Sequence, residues 1–188
     1  PTVIETTDFE KRTYEDETQI VTCGVSNSTF SDISDHPFEH YIVDLEAISG
    51  LSGNSSGLFE PNRSATRAEY LKLVLRALCI DYSDMNSTLD DFSDTGVDGW
   101  QARVINKAAE LGFITTANST FRVNDTISRV EALKIVMKAG ILTPLMTPSS
   151  SSFTDVPAGS WESKYTQAAL GYGIIAPNST FRPTQSIL

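Results

Sequence analysis

Two four-residue segments combine a hydroxyl, a guanidinium and a carboxylate at a spacing that suits the start of a helix. Thr66-Arg67-Ala68-Glu69 recurs as Ser128-Arg129-Val130-Glu131, 62 residues later. Each segment, here called a tetrad, predicts a capping box between its first and fourth residues. The arginine then stands at the first helical position, where free amides and the helix dipole favour an anion. Because a guanidinium can bind a carboxylate through two hydrogen bonds, both tetrads predict binding of an acidic sugar substituent.

Alternatives stay open for these arginines and for the two tryptophans. Each arginine could instead pair with an aspartate upstream, Asp32 or Asp94. The tryptophans could stack on a sugar ring, although aromatic residues at helical spacing more often pack in a core. The candidate ligand-binding residues are Arg67, Arg129, Trp100, Trp161, Glu69 and Glu131.

Catalytic and metal chemistry find little support. His36 and His40 belong to no nucleophile motif, and the sequence has no G-x-S-x-G, phosphate loop or H-E-x-x-H. Four aspartates could bind calcium, but they lack the EF-hand spacing and its glycine, which favours a solvated acidic loop. They are Asp81, Asp84, Asp90 and Asp91. The sequence predicts a non-enzyme with no metal site and no cofactor.

The asparagines and cysteines point to an extracellular surface protein. Of eight asparagines, seven stand in Asn-x-Ser/Thr and are predicted N-glycosylation positions, although Asn-Ser-Thr-Phe is also ordinary turn chemistry. They are Asn27, Asn54, Asn62, Asn86, Asn118, Asn124 and Asn178. The two cysteines, Cys23 and Cys79, predict one disulfide outside the cytoplasm, with two buried thiols as the alternative.

Charge and hydropathy exclude two classes of partner. The chain has 14 Lys and Arg against 24 Asp and Glu, which gives a net charge of −10. An acidic chain repels phosphate, so nucleic-acid binding is excluded. No apolar run approaches the roughly 20 residues that a membrane helix needs, so no membrane insertion is expected.

Three copies of a repeat of about 61 residues must position the candidate residues. A Phe-x-Asp motif opens each copy at Phe30, Phe92 and Phe153, with spacings of 62 and 61 residues. Other markers follow in the same order, among them Phe59, Phe121 and Phe181. The predicted domains are an extended N-terminal arm at 1–29, repeats at 30–80 and 92–141, and an incomplete third repeat at 153–188 that lacks its second helix.

Each repeat is predicted to form a helix, a short strand or loop, and a second helix, which makes the fold mainly α. In the second repeat, Gly112 is expected as a left-handed helix cap and Phe121-Arg122-Val123 as a short strand. The aspartate of each Phe-x-Asp motif is expected to cap the first helix or its approaching loop. These residues are Asp32, Asp94 and Asp155.

The order of these motifs resembles the S-layer homology repeat over residues 30–188, with the first tetrad as its most specific part. In that family, three repeats close into a pseudo-threefold bundle. Its grooves bind a pyruvylated secondary cell-wall polymer and anchor the protein on the bacterial surface. The chain departs from the pattern in three places. Phe38 replaces a Trp in the first repeat, Ser128 and Val130 stand in the second tetrad, and the third repeat lacks a tetrad.

Two functions follow from this reading. The first is a non-catalytic extracellular module that binds cell-wall polysaccharide and anchors an S-layer or surface protein. The alternative is a self-assembling extracellular filament subunit, whose partners are copies of itself. In that case the arm of one chain adds to an apolar groove in the third repeat of the next. That groove is expected around Trp161, Ala169, Ile174 and Phe181.

Overall fold

The computed structural model describes residues 30–49, 51–142, 144, 146 and 148–188. The predicted arm at 1–29, with Cys23 and Asn27, lies outside the described residues. Within them there are five helices and no strand, which confirms the mainly α fold. The helices are α1 (Glu39–Ser49), α2 (Arg67–Ala77), α3 (Gly99–Glu110), α4 (Arg129–Ala139) and α5 (Trp161–Gly171). None of the described helices is long and apolar enough to cross a bilayer.

The helices pack across the repeat boundaries. The second helix of the first repeat, α2, packs on the first helix of the second repeat, α3. In α2 the apolar residues Leu71, Val74 and Leu75 recur three or four positions apart, so they form one buried stripe. That stripe shares a core with Val104 and Ile105 of α3. The first and second repeats therefore share one apolar core.

The same arrangement recurs between α4 and α5. Leu133 and Met137 of α4 form a core with Phe153, Ala169 and Phe181 of the third repeat. The prediction of an open apolar groove in the third repeat is therefore wrong for Ala169 and Phe181, which are 0% and 4% exposed, whereas Trp161 and Ile174 are 44% and 40% exposed. The physical reason is that α4, the second helix of the preceding repeat, supplies the covering surface.

Three backbone segments meet in a closed ring just before the tetrad positions. The amide of Ala65 donates to the carbonyl of Ile187 at 3.2 Å, and that of Ile127 donates to Ala65 at 3.0 Å. The amide of Ile187 completes the ring by donating to Ile127 at 3.1 Å. Because the three residues hold equivalent positions in the repeats, this ring marks a pseudo-threefold axis.

The strand predicted at Phe121-Arg122-Val123 is wrong, because these residues enter a turn. Arg122 has φ of 63°, which is left-handed backbone and incompatible with a strand. The turn forms because the carboxylate of Asp94 accepts the amides of all three residues, at 2.6, 2.7 and 3.1 Å. By contrast, Gly112 follows α3 with φ of 73°, as a left-handed cap requires.

The expectation that the repeated aspartates cap the first helices is also wrong. Like Asp94, the other two accept backbone amides of a turn later in their own repeat, and we call the three contacts the aspartate clamps. Asp32 accepts from Phe59 and Glu60, and Asp155 accepts from Phe181 and Arg182. The first helices are capped by other residues, Asp98 for α3 and Ser160 for α5.

Candidate ligand-binding grooves

Each clamped turn holds a phenylalanine against the phenylalanine of its Phe-x-Asp motif. The ring centroids of Phe92 and Phe121 lie 5.6 Å apart, and those of Phe153 and Phe181 also lie 5.6 Å apart. The tilted geometry in both pairs is the one that aromatic rings prefer. The second ring of each pair becomes the platform for an arginine from the preceding repeat.

Both tetrads begin a helix with the geometry that suits their sequence. The hydroxyl of Thr66 accepts from the amide of Glu69 at 3.2 Å, and the Glu69 carboxylate accepts from the amide of Thr66 at 2.8 Å. In the second tetrad, Glu131 accepts from both the amide and the hydroxyl of Ser128, at 3.1 and 2.8 Å. The arginines consequently occupy the first positions of α2 and α4.

Arg67 reaches into the second repeat and forms no hydrogen bond or ion pair with Asp32 or Asp94. Its Nε donates to the carbonyl of Phe121 at 2.8 Å, and its guanidinium lies 4.5 Å from the centre of that ring. Its Nη1 lies 2.6 Å from the Glu131 carboxylate. Arg129 repeats the first two contacts on Phe181, at 3.0 and 5.0 Å.

The free helix amides that the sequence predicts as an anion site are occupied. The amide of Arg67 donates to the carbonyl of Asp125 at 2.9 Å, and the amide of Arg129 donates to Gln185 at 2.8 Å. The expectation of open amides is therefore wrong, because each turn of the next repeat covers the helix start. Any anion at this place must be bound by the guanidinium instead.

Arg67 and Glu131 are both charged in their contact. Burial lowers the pKa of Arg67, but an arginine stays protonated at any physiological pH. Burial acts to raise the pKa of Glu131, yet its contacts with Ser128, Arg67 and Arg122 outweigh burial and hold that pKa below its usual 4.5. The side chain of Arg67 is only 12% exposed, which strengthens its attraction for a carboxylate.

Groove 2 is a cleft of about 310 Å³ at the junction of the second and third repeats. The residues that give it chemistry are Arg67, Phe121, Arg122, Glu131, Lys134 and Trp161. Three predicted ligand-binding residues therefore meet in one cleft. Lys134 lies over the Trp161 ring at 5.1 Å from its centre, and Trp161 is 44% exposed, so one part of the ring stays open.

Groove 1 is the equivalent cleft between the first and second repeats, with a volume of about 330 Å³. The residues that give it chemistry are Glu60, Arg63, Glu69, Tyr70, Lys72 and Trp100. It contains the predicted residues Glu69 and Trp100, whereas Arg129 lines neither groove. Trp100 packs against the core on one side and under Lys72, at 4.8 Å, on the other.

The basic residues that complete the two grooves were not predicted from the sequence. Lys72 and Lys134 follow their tetrads at the same offset, so the repeat period already carries the signal that links them. Arg63 and Arg122 carry no such signal, because they occupy different positions in their repeats. Both nonetheless contact the tetrad carboxylate of their own repeat, Glu69 at 2.8 Å and Glu131 at 2.6 Å.

The remaining predicted sites lie apart from this chemistry. The six sequon asparagines within the described residues are all exposed, and their glycosylation stays a prediction. Cys79 is disulfide-bonded, and the pairing with Cys23 stays a prediction because Cys23 lies outside the described residues. The described part of the chain holds no cluster of three acidic, histidine or cysteine side chains that could bind a metal ion.

The chain is similar in sequence to one protein family and to parts of several longer proteins. The S-layer homology domain family matches residues 91–133 and 152–188, within the second and third repeats. The chain is 30% identical over 163 residues to an amylopullulanase of Thermoanaerobacterium thermosulfurigenes, which covers 84% of the chain. It is 31% identical over 161 residues to the exoglucanase XynX of Acetivibrio thermocellus, which covers 82%.

A third relative is a cellulosome-anchoring protein of Acetivibrio thermocellus, 30% identical over 146 residues and covering 73% of the chain. The chain spans 9%, 14% and 32% of the lengths of these three relatives. It is therefore similar to one part of each, and the family resemblance that the motifs predicted is confirmed.

Proposed function

Because this chain belongs to the S-layer homology family, we propose that its grooves bind a secondary cell-wall polymer and thereby attach a larger protein to the bacterial surface. The chain is a cell-wall anchoring module, and the family indicates an extracellular, cell-surface location. The finer proposal concerns the ligand, a cell-wall polysaccharide with an acidic substituent.

The observation that carries the proposal is the composition of groove 2. The Trp161 side chain, which is 44% exposed, can stack on a sugar ring, and Lys134 lies over the same indole. Arg67 and Arg122 line the same groove, and both contact Glu131. An apolar platform beside paired guanidiniums suits a sugar that carries a carboxylate.

We propose no catalytic role for the chain. The grooves bring together arginine, lysine and tryptophan, and each carboxylate in them is engaged in a helix cap or an ion pair. Paired carboxylates that serve as acid and base in glycoside hydrolysis stand free on either side of a glycosidic bond. The hydrolase names of two relatives describe proteins several times longer than this chain.

We propose no self-assembly for this chain. That function requires a continuous apolar groove in the third repeat, and α4 packs on Ala169 and Phe181 while Trp161 and Ile174 stay 44% and 40% exposed.

The test is retention of the chain on purified Gram-positive sacculi that keep their wall polymer. We expect the wild type to sediment with the sacculi, and Lys134→Gln combined with Trp161→Ala to remain in the supernatant. The matched control is Lys138→Gln, since Lys138 lies one helical turn from Lys134 on α4 but lines neither groove. A wild type that stays in the supernatant refutes polymer binding. Equal retention of the double variant refutes the choice of groove 2.

A further inference from the structure

The two grooves share one framework but differ in the sign of one charged position. Glu60 and Arg122 occupy the same place in the first and second repeats, with nearly the same left-handed φ of 60° and 63°. Three residues later the charges are also exchanged, with Arg63 in the first repeat and Asp125 in the second. Both repeats therefore keep an ion pair here, but the positive and the negative residue have exchanged positions.

This exchange changes what faces groove 1. Arg63 contacts two carboxylates at once, Glu60 at 3.0 Å and Glu69 at 2.8 Å. Among the described residues that line groove 1, two cations face two carboxylates, with Lys72 as the second cation. An incoming anion would find the guanidinium of Arg63 already paired with two carboxylates, and these carboxylates would repel the anion.

In groove 2 the cationic side chains outnumber the carboxylates. A single oxygen of Glu131 contacts both Arg67 and Arg122, each at 2.6 Å. With Lys134, three cations and one carboxylate are found among the described residues that line groove 2. The Nη1 atom of Arg67 is buried against Glu131, whereas the side chain of Arg122 is 52% exposed, so the Arg122 guanidinium is the one that an entering anion can reach.

We infer that groove 2, and not groove 1, is the groove that takes an anionic substituent, and that Arg122 in place of Glu60 is the residue that determines this difference. The inference deepens the proposed function and rests on it. A carboxylate entering groove 2 supplies the second acceptor that two guanidiniums sharing one oxygen lack. The net charge of −10 makes this local excess of cations necessary, since the rest of the chain repels an anion.

The two tryptophans allow each groove to be observed separately. Trp100 lines groove 1 and Trp161 lines groove 2, and the chain has two tryptophans in all. In Trp100→Phe the intrinsic fluorescence therefore reports groove 2, and in Trp161→Phe it reports groove 1. The probe is a methyl glycoside with a 4,6-linked pyruvate ketal, and its uncharged methyl ester serves as the matched ligand control.

We expect the ketal acid to change the fluorescence of Trp100→Phe with a saturating curve, the ester to bind at least about tenfold more weakly, and Trp161→Phe not to respond. In the Trp100→Phe background, Arg122→Gln should weaken binding of the acid at least about tenfold. Arg182→Gln is the control, because Arg182 holds the equivalent position in the third repeat but lines neither groove.

The charge transplant is the strongest test. In the Trp161→Phe background, Glu60→Arg combined with Arg63→Asp should give groove 1 a response to the acid, with thermal melting used to verify folding. Equal responses in both grooves, a response in groove 1 alone, or no response in either groove would each overturn the inference. In the last case, retention of the wild type on sacculi shows that the proposed function survives, whereas loss of retention shows that it fails as well.

Discussion

The aspartate clamp of the second repeat should be a measurable source of stability. Asp94 lies 27 to 29 residues before the three amides that it accepts. One carboxylate oxygen accepts from Phe121, and the other accepts from Arg122 and Val123. Replacement by asparagine keeps the shape but turns one acceptor into an NH₂ group that faces a backbone donor.

The magnitude follows from the contacts that asparagine loses. A hydrogen bond to a charged group contributes about 1.5 to 3 kcal/mol, and the low end applies here because Asp94 is partly exposed to solvent. Asp94→Asn loses one such bond outright and weakens the other two, so we expect a loss of about 2 to 3 kcal/mol in the free energy of unfolding. For a chain of this length that corresponds to a decrease of roughly 5 to 10 °C in Tm.

The pH dependence separates the charge from the shape. Burial acts to raise the pKa of Asp94, but the amides of Phe121, Val123 and Arg122 outweigh it and hold the pKa below 3.8. Because the folded state lowers this pKa, the clamp contributes fully above about pH 3.8 and is lost as pH falls through the lower folded value. The difference between wild type and Asp94→Asn should therefore shrink as pH decreases below 3.8.

The assay is thermal and urea unfolding followed by circular dichroism, at pH 7 and at steps below pH 4. Asp91→Asn is the matched control, since Asp91 is an exposed carboxylate three residues earlier, and its effect should stay within about 0.5 kcal/mol. A Tm of Asp94→Asn within one degree of wild type at pH 7 would refute the clamp. A decrease that is the same at every pH would show that shape, and not charge, is responsible.

Three further predictions concern the core and the covalent structure. Leu71→Ala removes a fully buried side chain of α2 that packs in the core with α3, and it should lower the free energy of unfolding by about 2 to 5 kcal/mol in urea. Val136→Ala, at a 39% exposed position, should change that free energy little. Tyr70→Phe removes the hydroxyl that donates to the carbonyl of Ala132 at 3.2 Å and should cost about 1 kcal/mol in the same assay. Intact mass should increase by two hydrogens on reduction if Cys23 and Cys79 are joined, and an unchanged mass would contradict that pairing.

The local features of each repeat could be predicted from sequence, because they depend on neighbouring residues. The capping boxes need residues only three positions apart, so Thr66 with Glu69 and Ser128 with Glu131 indicated where α2 and α4 begin. The left-handed cap at Gly112 likewise follows from its place after a helical stripe. The period of about 61 residues revealed the repeats themselves.

The partners of the repeated polar residues could not be predicted, because their contacts span a whole repeat or cross into the next. Asp94 looked like a helix cap, yet the turn that it binds lies more than 26 residues away. The amide of Arg67 looked free, yet it is covered by Asp125 of the next repeat. Local spacing cannot distinguish these outcomes, since it does not state which segment will lie against which.

By itself, then, the sequence determined the period, the helix starts, the mainly α composition and the residue types that suit an acidic sugar. Only the tertiary structure decided which of those residues meet. The second helix of each repeat packs on the first helix of the next, and a backbone ring of Ala65, Ile127 and Ile187 closes the three segments on one axis. Because the repeats pack on each other in this way, Arg67 of the first repeat lines the groove of the second repeat. There it contacts Glu131, which lies 64 residues away in the sequence. Apolar burial between repeats, and not the local propensity of either tetrad, fixes that meeting.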